Sequence, residues 1–356
     1  MKKTWIPLAT AAVLLSGCLP VNIFEDDTPL TDENTKSGSD LEVVADNLTI
    51  PWSIDEHEGT FYISERPGSI AKVEGGTVEQ QTVSLELTLS EAAEAGLLGF
   101  VLAPDFGESN EAFAYYTYEQ DGNQFNRIVK LELESDAWTE TEVLLDEIPS
   151  GNVHHGGRLE IGPDDKLYAT AGDASDPELA QDEASLAGKI LRLNLDGSIP
   201  EDNPFGDSYV YSMGHRNAQG LTWSEDGELY ASEHGPSAND EVNQIVAGAN
   251  YGWPTIEGTE EQEGLESPLF ASGSDRTWAP SGMAYRDGKV YVAALRGTTV
   301  LEFDLATEEY RAIVEDVGRV RDVWIHGDDL YFVSNNTDGR GNPSDNDDKL
   351  YKLTLE

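Results

Sequence analysis

The feature that most constrains the fold of this chain is a strand pattern that recurs six times. Each copy is a short apolar strand that carries an aromatic residue and follows an acidic or glycine turn. The aromatic markers are Tyr62, Phe113, Tyr168, Tyr230, Tyr291 and Tyr331. Their successive spacings of 51, 55, 62, 61 and 40 residues fit a repeat of about 40 to 60 residues, the size of one four-stranded propeller blade.

Six such units predict an all-β fold, a six-bladed β-propeller. Further strand-like runs lie between the markers, at residues 189–193 and 300–303, and long amphipathic helix patterns are missing. Because a propeller must close, we expect a strand at residues 41–45 to pair with one at 349–353. A pair of β-sandwiches is the alternative, but six markers in a contiguous chain without a linker favour one ring.

The N-terminus has the pattern of a secretory signal. Lys2 and Lys3 precede an apolar run at residues 5–15, which is too short to span a bilayer. The run ends in Leu-Ser-Gly-Cys at Cys18, the chain's only cysteine, and this string resembles the lipobox of prokaryotic lipoproteins. A cysteine placed there by chance is the alternative.

These segments predict three parts of the chain. A lipoprotein signal peptide covers residues 1–18, with lipidation at Cys18. An acidic, flexible tether covers residues 19–40, and the propeller covers 41–356. We therefore expect a secreted protein, periplasmic or at the cell surface, that touches the membrane only through its lipid anchor.

The formal charge of −46 limits the partners of this chain. Affinity for phosphate backbones and anionic membranes comes from clustered lysine and arginine, so neither partner is expected. The charge is typical either of an ordinary acidic protein or, as we favour, of a halophile, since the Debye length is only ~3 Å at 1 M salt. Most acidic residues are then surface groups and poor guides to function.

Three segments carry side chains suited to chemistry. The first, residues 151–159, places His154 and His155 beside two glycines just before a strand, where a histidine could serve as a base near neutral pH. The second, residues 211–221, offers the forked donors of Arg216, Asn217 and Gln219. In the third, residues 233–254, backbone carbonyls near carboxylates suit a hard cation such as calcium.

Together these segments resemble the quinoprotein glucose/sorbosone dehydrogenases, and in particular the soluble aldose sugar dehydrogenase type. The resemblance covers residues 48–353 and rests most specifically on the strings GHRNAQGL at 214–221 and NYGWP at 250–254. It implies a six-bladed propeller that binds pyrroloquinoline quinone (PQQ) and calcium. It also implies oxidation of an aldose at C1 to the lactone, with hydride transfer to PQQ and electrons passed to an external acceptor.

The resemblance also implies a role for each matching residue. His154 corresponds to the general base, Arg216 to the arginine that stabilises the developing oxyanion, and Glu94 to a residue near the sugar. The cofactor positions are Arg216, Asn217, His234, Thr277, Arg296, Arg319 and Arg321. Two calcium ions are implied: the carbonyls of Gly235 and Pro236 correspond to ligands of the calcium that also binds the cofactor, and Glu241 and the Tyr251 backbone oxygen correspond to ligands of a second, structural calcium.

The chain departs from the family pattern at a few positions. Val153 stands where soluble glucose dehydrogenase has an acid, while Glu94 and His234 each replace a glutamine. The chain is also short, so we expect a monomer without a glucose-selective pocket. Two other readings stay open: a non-enzymatic propeller that binds carbohydrate or protein, and a calcium-dependent hydrolase or lactonase with carboxylates lining a central channel.

Overall fold

The computed structural model describes residues 34–355, and the regular structure in this range is almost entirely β-strand. The helices are a single turn of α-helix, α1 (Phe106–Ser109), and two 3-10 turns at Gly38–Asp40 and Pro177–Gln181. No helix in the described range is long and apolar enough to cross a bilayer. The all-β prediction is confirmed. The predicted signal peptide, Cys18 and residues 19–33 of the predicted tether lie outside the described residues.

The strands follow the chain in consecutive groups. The first two are β1 (Lys36–Ser37) and β2 (Glu42–Ala45). An eight-stranded sheet contains β3 (Pro51–His57), β4 (Thr60–Glu65), β5 (Ser69–Glu74), β6 (Thr77–Ser84), β7 (Leu97–Leu102), β8 (Glu111–Gln120), β9 (Asn123–Glu134) and β10 (Ala137–Ser150).

Four-stranded sheets make up the rest of the domain. They contain β11 (Leu159–Ile161), β12 (Lys166–Ala171), β13 (Lys189–Asn194) and β14 (Val210–Met213); β15 (Ala218–Trp223), β16 (Leu229–Glu233), β17 (Glu241–Ile245) and β18 (Phe270–Ala271); and β19 (Pro280–Arg286), β20 (Lys289–Ala294), β21 (Thr299–Asp304) and β22 (Glu309–Ala312). The last strands are β23 (Val314–Glu315), β24 (Val320–His326), β25 (Asp329–Ser334) and β26 (Leu350–Thr354).

The eight-stranded sheet consists of two antiparallel meanders joined at one seam. Its strand order is β3-β4-β5-β6-β10-β9-β8-β7. At the seam β10 runs parallel to β6, with Trp138 opposite Val83. The indole N–H of Trp138 donates to Gln81 Oε1 at 2.9 Å, so the seam is tied by a buried side-chain hydrogen bond as well.

The N-terminal strands close the domain onto its C-terminus. Strand β2 pairs antiparallel with β26, with Val43 opposite Tyr351, which confirms the predicted pairing. Strand β1 pairs parallel with β23, with Lys36 opposite Val314. The described end of the predicted tether is therefore paired with the domain from Lys36 onward, ahead of the expected boundary at residue 41.

The repeated sequence pattern has a direct structural cause. The turn residues before the markers adopt left-handed backbone angles, with φ of 84° at Gly59, 56° at Asp165 and 83° at Gly227. Glycine and aspartate tolerate this region, so they recur where each hairpin reverses. The aromatic markers are buried except for Tyr331, which is half-buried, and each packs into a different hydrophobic cluster of the domain.

The first strand of each meander or sheet lies against the first strand of the next. In space the order is β3, β7, β11, β15, β19, β24 and then β3 again. Loops that enter or leave these strands therefore converge near one axis, and the candidate functional residues lie on them.

Candidate functional site

His154 lies on the loop between β10 and β11 and is held by two charged partners. Its Nδ1 is 2.8 Å from Asp173 Oδ1, and Arg216 Nη2 donates to its Nε2 at 2.9 Å. With a carboxylate at Nδ1 and a donor at Nε2, the partners assign a neutral imidazole whose lone pair is on Nε2. This is the form that a general base needs before it takes a proton.

Asp173 contacts both His154 and the residues around it. It is fully buried, and its second carboxylate oxygen accepts the indole N–H of Trp253 at 3.0 Å. Its backbone N–H donates to the carbonyl of Arg216 at 2.8 Å. The sequence reading did not single out Asp173. The available signal was its position in a Gly-Asp turn directly after β12.

Arg216 bridges the base and the Gly235 loop. Besides its bond to His154, it donates through Nη1 to the Gly235 carbonyl at 2.8 Å, and its guanidinium lies 5.5 Å from the Trp253 ring centre. Burial lowers the pKa of Arg216, while Asp173 and Glu233 act in the opposite direction. The two predicted catalytic residues are therefore in direct contact.

A buried carboxylate that the sequence reading missed shapes the loop around Arg216. Glu233 accepts the backbone N–H groups of Arg216 and Asn217, and its other oxygen lies 2.8 Å from His215 Nδ1. The His215 ring stacks on Tyr251 at 4.8 Å. The Asn217 side chain accepts the Gly156 N–H at 3.0 Å. Asn217 therefore holds the loop that carries the base.

His155, the neighbour of His154, is buried. Its Nε2 contacts the Ala93 carbonyl at 2.8 Å and its Nδ1 contacts Ser150 Oγ at 2.7 Å, so both ring nitrogens are occupied. Burial lowers the pKa of this imidazole.

A cavity of about 320 Å³, here called the Trp52 cavity, collects several of the predicted residues. It is lined by Trp52, Glu94, Leu98, His155, Gly156, Gln219, His234, Leu295, Arg321 and Arg340. Burial lowers the pKa of the His234 imidazole to about 4, so this side chain is neutral at physiological pH. Its Nε2 is buried and has no hydrogen-bond partner among residues 34–355.

Arg321, which lines this cavity, and Arg319, which does not, are buried arginines with incomplete hydrogen bonding. Arg321 donates to Gln219 Oε1 at 2.7 Å, and Arg319 donates to Asp338 Oδ2 at 2.9 Å. In the described part of the chain, neither Nε atom has a partner. Burial, together with the neighbouring Arg319, lowers the pKa of Arg321 to about 9. Buried guanidinium N–H donors without a partner are groups that a multiply charged anion would satisfy.

Two of the predicted cofactor residues are placed differently. The Thr277 hydroxyl donates to Asp240 Oδ2 at 2.8 Å, and Asp240 also accepts the Gly235 N–H at 2.9 Å. Thr277 thus supports the Gly235 loop. The Arg296 side chain is exposed and is absent from the residues that line the Trp52 cavity, although its neighbour Leu295 belongs to them.

A second cavity of about 240 Å³, the Gly235 cleft, contains most of the predicted metal ligands. It is lined by Arg216, Glu233, His234, Gly235, Pro236, Asn239, Glu241, Trp253, Ile256 and Glu257. Burial, and then the nearby Glu233, raises the pKa of Glu241 to about 8. Tyr251 does not line the cleft; its hydroxyl donates to the Gln244 carbonyl at 2.5 Å.

The predicted metal ligands in the Gly235 cleft, namely Gly235, Pro236 and Glu241, offer oxygen atoms. Backbone carbonyls and a carboxylate suit a hard cation, and a cation would relieve the repulsion between Glu241 and Glu233. Across residues 34–355, no group of three or more His, Cys, Asp or Glu side chains could hold a metal. Besides the Glu241 carboxylate, a cation in this cleft would therefore rely on backbone carbonyls and on oxygen atoms of a molecule bound next to it.

Comparison with known proteins shows what this chain is similar to. The glucose/sorbosone dehydrogenase family model matches residues 48–350. Quinoprotein glucose dehydrogenase B of Acinetobacter calcoaceticus is 33% identical over 292 residues, which are 70% of this chain and 60% of that protein. Aldose sugar dehydrogenase YliI of Escherichia coli is 29% identical over 338 residues, 82% of this chain and 89% of that protein.

A solved structure is also similar to this chain. The PQQ-bound form of aldose sugar dehydrogenase from Streptomyces coelicolor superimposes with a TM-score of 0.83 and 36% sequence identity. The match covers 88% of this chain and 97% of that one.

Proposed function

This chain belongs to the glucose/sorbosone dehydrogenase family, and we propose that it is a PQQ- and calcium-dependent oxidoreductase that converts aldoses to lactones. The observation that carries the proposal is the His154–Arg216 contact, which places an acceptor nitrogen and a guanidinium together. Arg216 lines the Gly235 cleft, and Glu94, which accepts the His154 backbone N–H, lines the Trp52 cavity. Two relatives named as quinoprotein glucose dehydrogenase and aldose sugar dehydrogenase support the same activity.

For the fold, we infer six blades. The two meanders of the eight-stranded sheet would each be one blade, and each four-stranded sheet would be another. The ring of contacts among the first strands supports this count, because each blade of a propeller places its first strand at the central axis.

The Trp52 cavity fits PQQ in its chemistry. PQQ carries several carboxylates, and Arg319 and Arg321 would hold them through the Nε atoms that have no partner among the described residues. His234 would offer its neutral imidazole to a polar atom of the cofactor. When bound, PQQ supplies the acceptor for the hydride that leaves C1 of the sugar. Arg296, which is exposed, would have to turn inward to contribute.

The chain itself would perform the proton step. His154 Nε2 would take the proton from the anomeric hydroxyl as the C1–O single bond becomes a double bond. Asp173 would then stabilise the imidazolium that forms. The sugar hydroxyl must first replace the Arg216 guanidinium at Nε2, and Arg216 would then lie next to the developing negative charge.

For the Gly235 cleft we propose calcium. Gly235 and Pro236 would supply carbonyl ligands to an ion that acts as a Lewis acid toward the cofactor. Glu241 and the Tyr251 backbone carbonyl would hold a second, structural calcium. Within residues 34–355, no group of three or more His, Cys, Asp or Glu side chains is placed to hold a metal ion, which speaks against the alternative of a calcium-dependent hydrolase with carboxylate ligands.

The remaining proposals concern the setting of the reaction. The substrate would be a small aldose, and the electrons would pass to an external acceptor. Lipidation at Cys18 would hold a monomeric domain on the outer side of the membrane, and the charge of −46 would suit a saline exterior.

The test is reconstitution of the full chain, purified in high salt. We expect reduction of an artificial dye only when PQQ, calcium and an aldose are all present, together with a bound-quinone absorbance that saturates on titration. A folded chain that reduces no dye under these conditions contradicts the proposal. Sugar binding without any quinone spectrum would support the non-enzymatic propeller instead.

A further inference from the structure

The Trp52 cavity contains an ion pair that the proposed function does not use. Arg340 Nη1 lies 2.8 Å from Glu94 Oε1, and both side chains line the cavity. We propose that Arg340 determines substrate specificity: by neutralising Glu94 it makes the site select uncharged aldoses over both uronic acids and amino sugars. This inference rests on the proposed function.

Glu94 is placed where the reacting end of a sugar would be bound. Its second oxygen, Oε2, accepts the backbone N–H of His154 at 3.4 Å, so the carboxylate lies beside the base. The backbone at Glu94 is left-handed, with φ of 68°, a conformation that is uncommon for glutamate. The backbone conformation of Glu94 and the hydrogen bond of its side chain therefore both hold the carboxylate next to His154.

Arg340 is directed at Glu94 by its own anchoring. Its backbone N–H donates to Asp338 Oδ1 at 2.8 Å, while the other oxygen of Asp338 accepts Arg319 Nη2 at 2.9 Å. Asp338 therefore serves the Arg319 guanidinium, and within the described residues the ion-pair partner of the Arg340 guanidinium is Glu94.

The pair is poorly suited to a role in stability. The Arg340 side chain is 45% exposed, and ion pairs with such exposure contribute little to folding because solvent screens them. In a cavity that a sugar must enter, the same pair has a larger effect on the ligand. It cancels a charge that would otherwise attract or repel any ionised group on the sugar.

The two partners make opposite predictions. Replacing Glu94 by Gln leaves the Arg340 charge uncompensated, so a uronate should gain relative to glucose. Replacing Arg340 by Gln leaves the Glu94 charge uncompensated, so a protonated amino sugar should gain. We expect the ratio of kcat/KM between the charged sugar and glucose to shift by about tenfold in each variant. Removal of one charge from a partly buried pair changes the electrostatic energy of a charged group on a sugar a few ångströms away.

The experiment compares four forms of the protein, each loaded with PQQ and calcium, at low salt: the wild type, E94Q, R340Q and R340K. For each, kcat/KM is measured with glucose, glucuronate and glucosamine, at a pH where the amine is protonated. Sugar binding is followed separately through tryptophan fluorescence, because Trp52 lines the same cavity. The matched control is R286Q, which breaks the Arg286–Asp328 pair away from both cavities.

The expected result is opposite shifts in E94Q and R340Q, wild-type ratios in R340K, which keeps the charge, and unchanged ratios in R286Q. Unchanged ratios in both E94Q and R340Q, with an active wild type, overturn the inference. If the wild type oxidises no aldose, the proposed function fails, and the fluorescence titrations still decide whether the pair controls charge preference. Should E94Q not fold, R340Q alone makes the same test.

Discussion

The two sides of the proposed site differ in how completely their polar groups are paired. On the side of the base, His154, Asp173 and Arg216 bond to one another and to the backbone. On the side of the arginines, Arg319 and Arg321 each keep an unpaired Nε in the described structure. In the proposed function, the first side would be ready for proton transfer before any ligand arrives, whereas the second would be completed by an anion.

This difference has an energetic meaning. A buried polar group without a partner costs free energy, and a ligand that supplies the partner recovers it on binding. The arginine side should therefore report cofactor binding through stability, while the base side should report it through rate. Variants on the two sides should then fail in different ways.

The largest expected effect is on the base side. His154→Gln removes the acceptor nitrogen, and we expect kcat to fall by about a thousandfold, since general bases contribute roughly 10²- to 10⁴-fold. The bound-quinone absorbance should be retained, because the arginines are untouched. The control is His326→Ala, which removes an exposed histidine that contacts Glu56 and stacks on Trp324. A variant that loses quinone binding and rate together would show that the two sides do not act separately.

The next effect concerns stability without cofactor. Asp240 accepts hydrogen bonds from Gly235, Thr277 and Ala279. Asp240→Ala leaves these donors unpaired, and we expect the free energy of unfolding to fall by about 3 kcal/mol. Arg321→Met, on the unpaired side, should change it by less than about 1 kcal/mol. Urea unfolding of both variants measures the contrast, and equal losses would contradict it.

With cofactor present, the same arginine should matter more. Arg321→Met is expected to weaken PQQ binding by about 10- to 100-fold, as for the loss of one charge-assisted contact. The rise in melting temperature on adding PQQ should shrink accordingly, while kcat at saturating cofactor changes little. An unchanged thermal shift would mean that this arginine does not hold the cofactor.

The sequence allowed one side of this comparison to be predicted better than the other. His154 and Arg216 lie in local strings, where glycines and neighbouring polar residues give a recognisable pattern. Asp173 and Glu233 do not, because the fold brings them in from other strands and this chain has 68 acidic residues. The strand repeat, by contrast, follows from local turn chemistry and was visible without the fold.

The same reasoning explains the residues that were placed less well. Thr277 and Arg296 were inferred from their positions in a family pattern, but their side chains follow local needs: Thr277 pairs with Asp240, and Arg296 points to solvent. Arg340 lies in a loop near the C-terminus with no motif to mark it. Its pairing with Glu94 joins segments from opposite ends of the domain, which only the closed ring brings together.

The smallest expected effect concerns pH and sharpens the comparison at the mouth of the site. Burial would raise the pKa of Glu94, but Arg340, His234 and the His154 N–H lower it to about 2. A lowered pKa keeps the carboxylate ionised at every pH above that value, so the wild-type preference between glucosamine and glucose should stay constant from about pH 4.5 to 6.5.

In Arg340→Gln the positive charge that most lowers the pKa of Glu94 is gone, and burial then raises this pKa. Glu94 then gains a proton as the pH falls, and the preference of this variant for glucosamine should decline toward pH 4.5. The ratio of kcat/KM for the two sugars isolates this effect, because protonation of the base affects both sugars alike. A ratio that varies with pH in the wild type, or stays constant in the variant, would mean that Arg340 does not control the charge of Glu94.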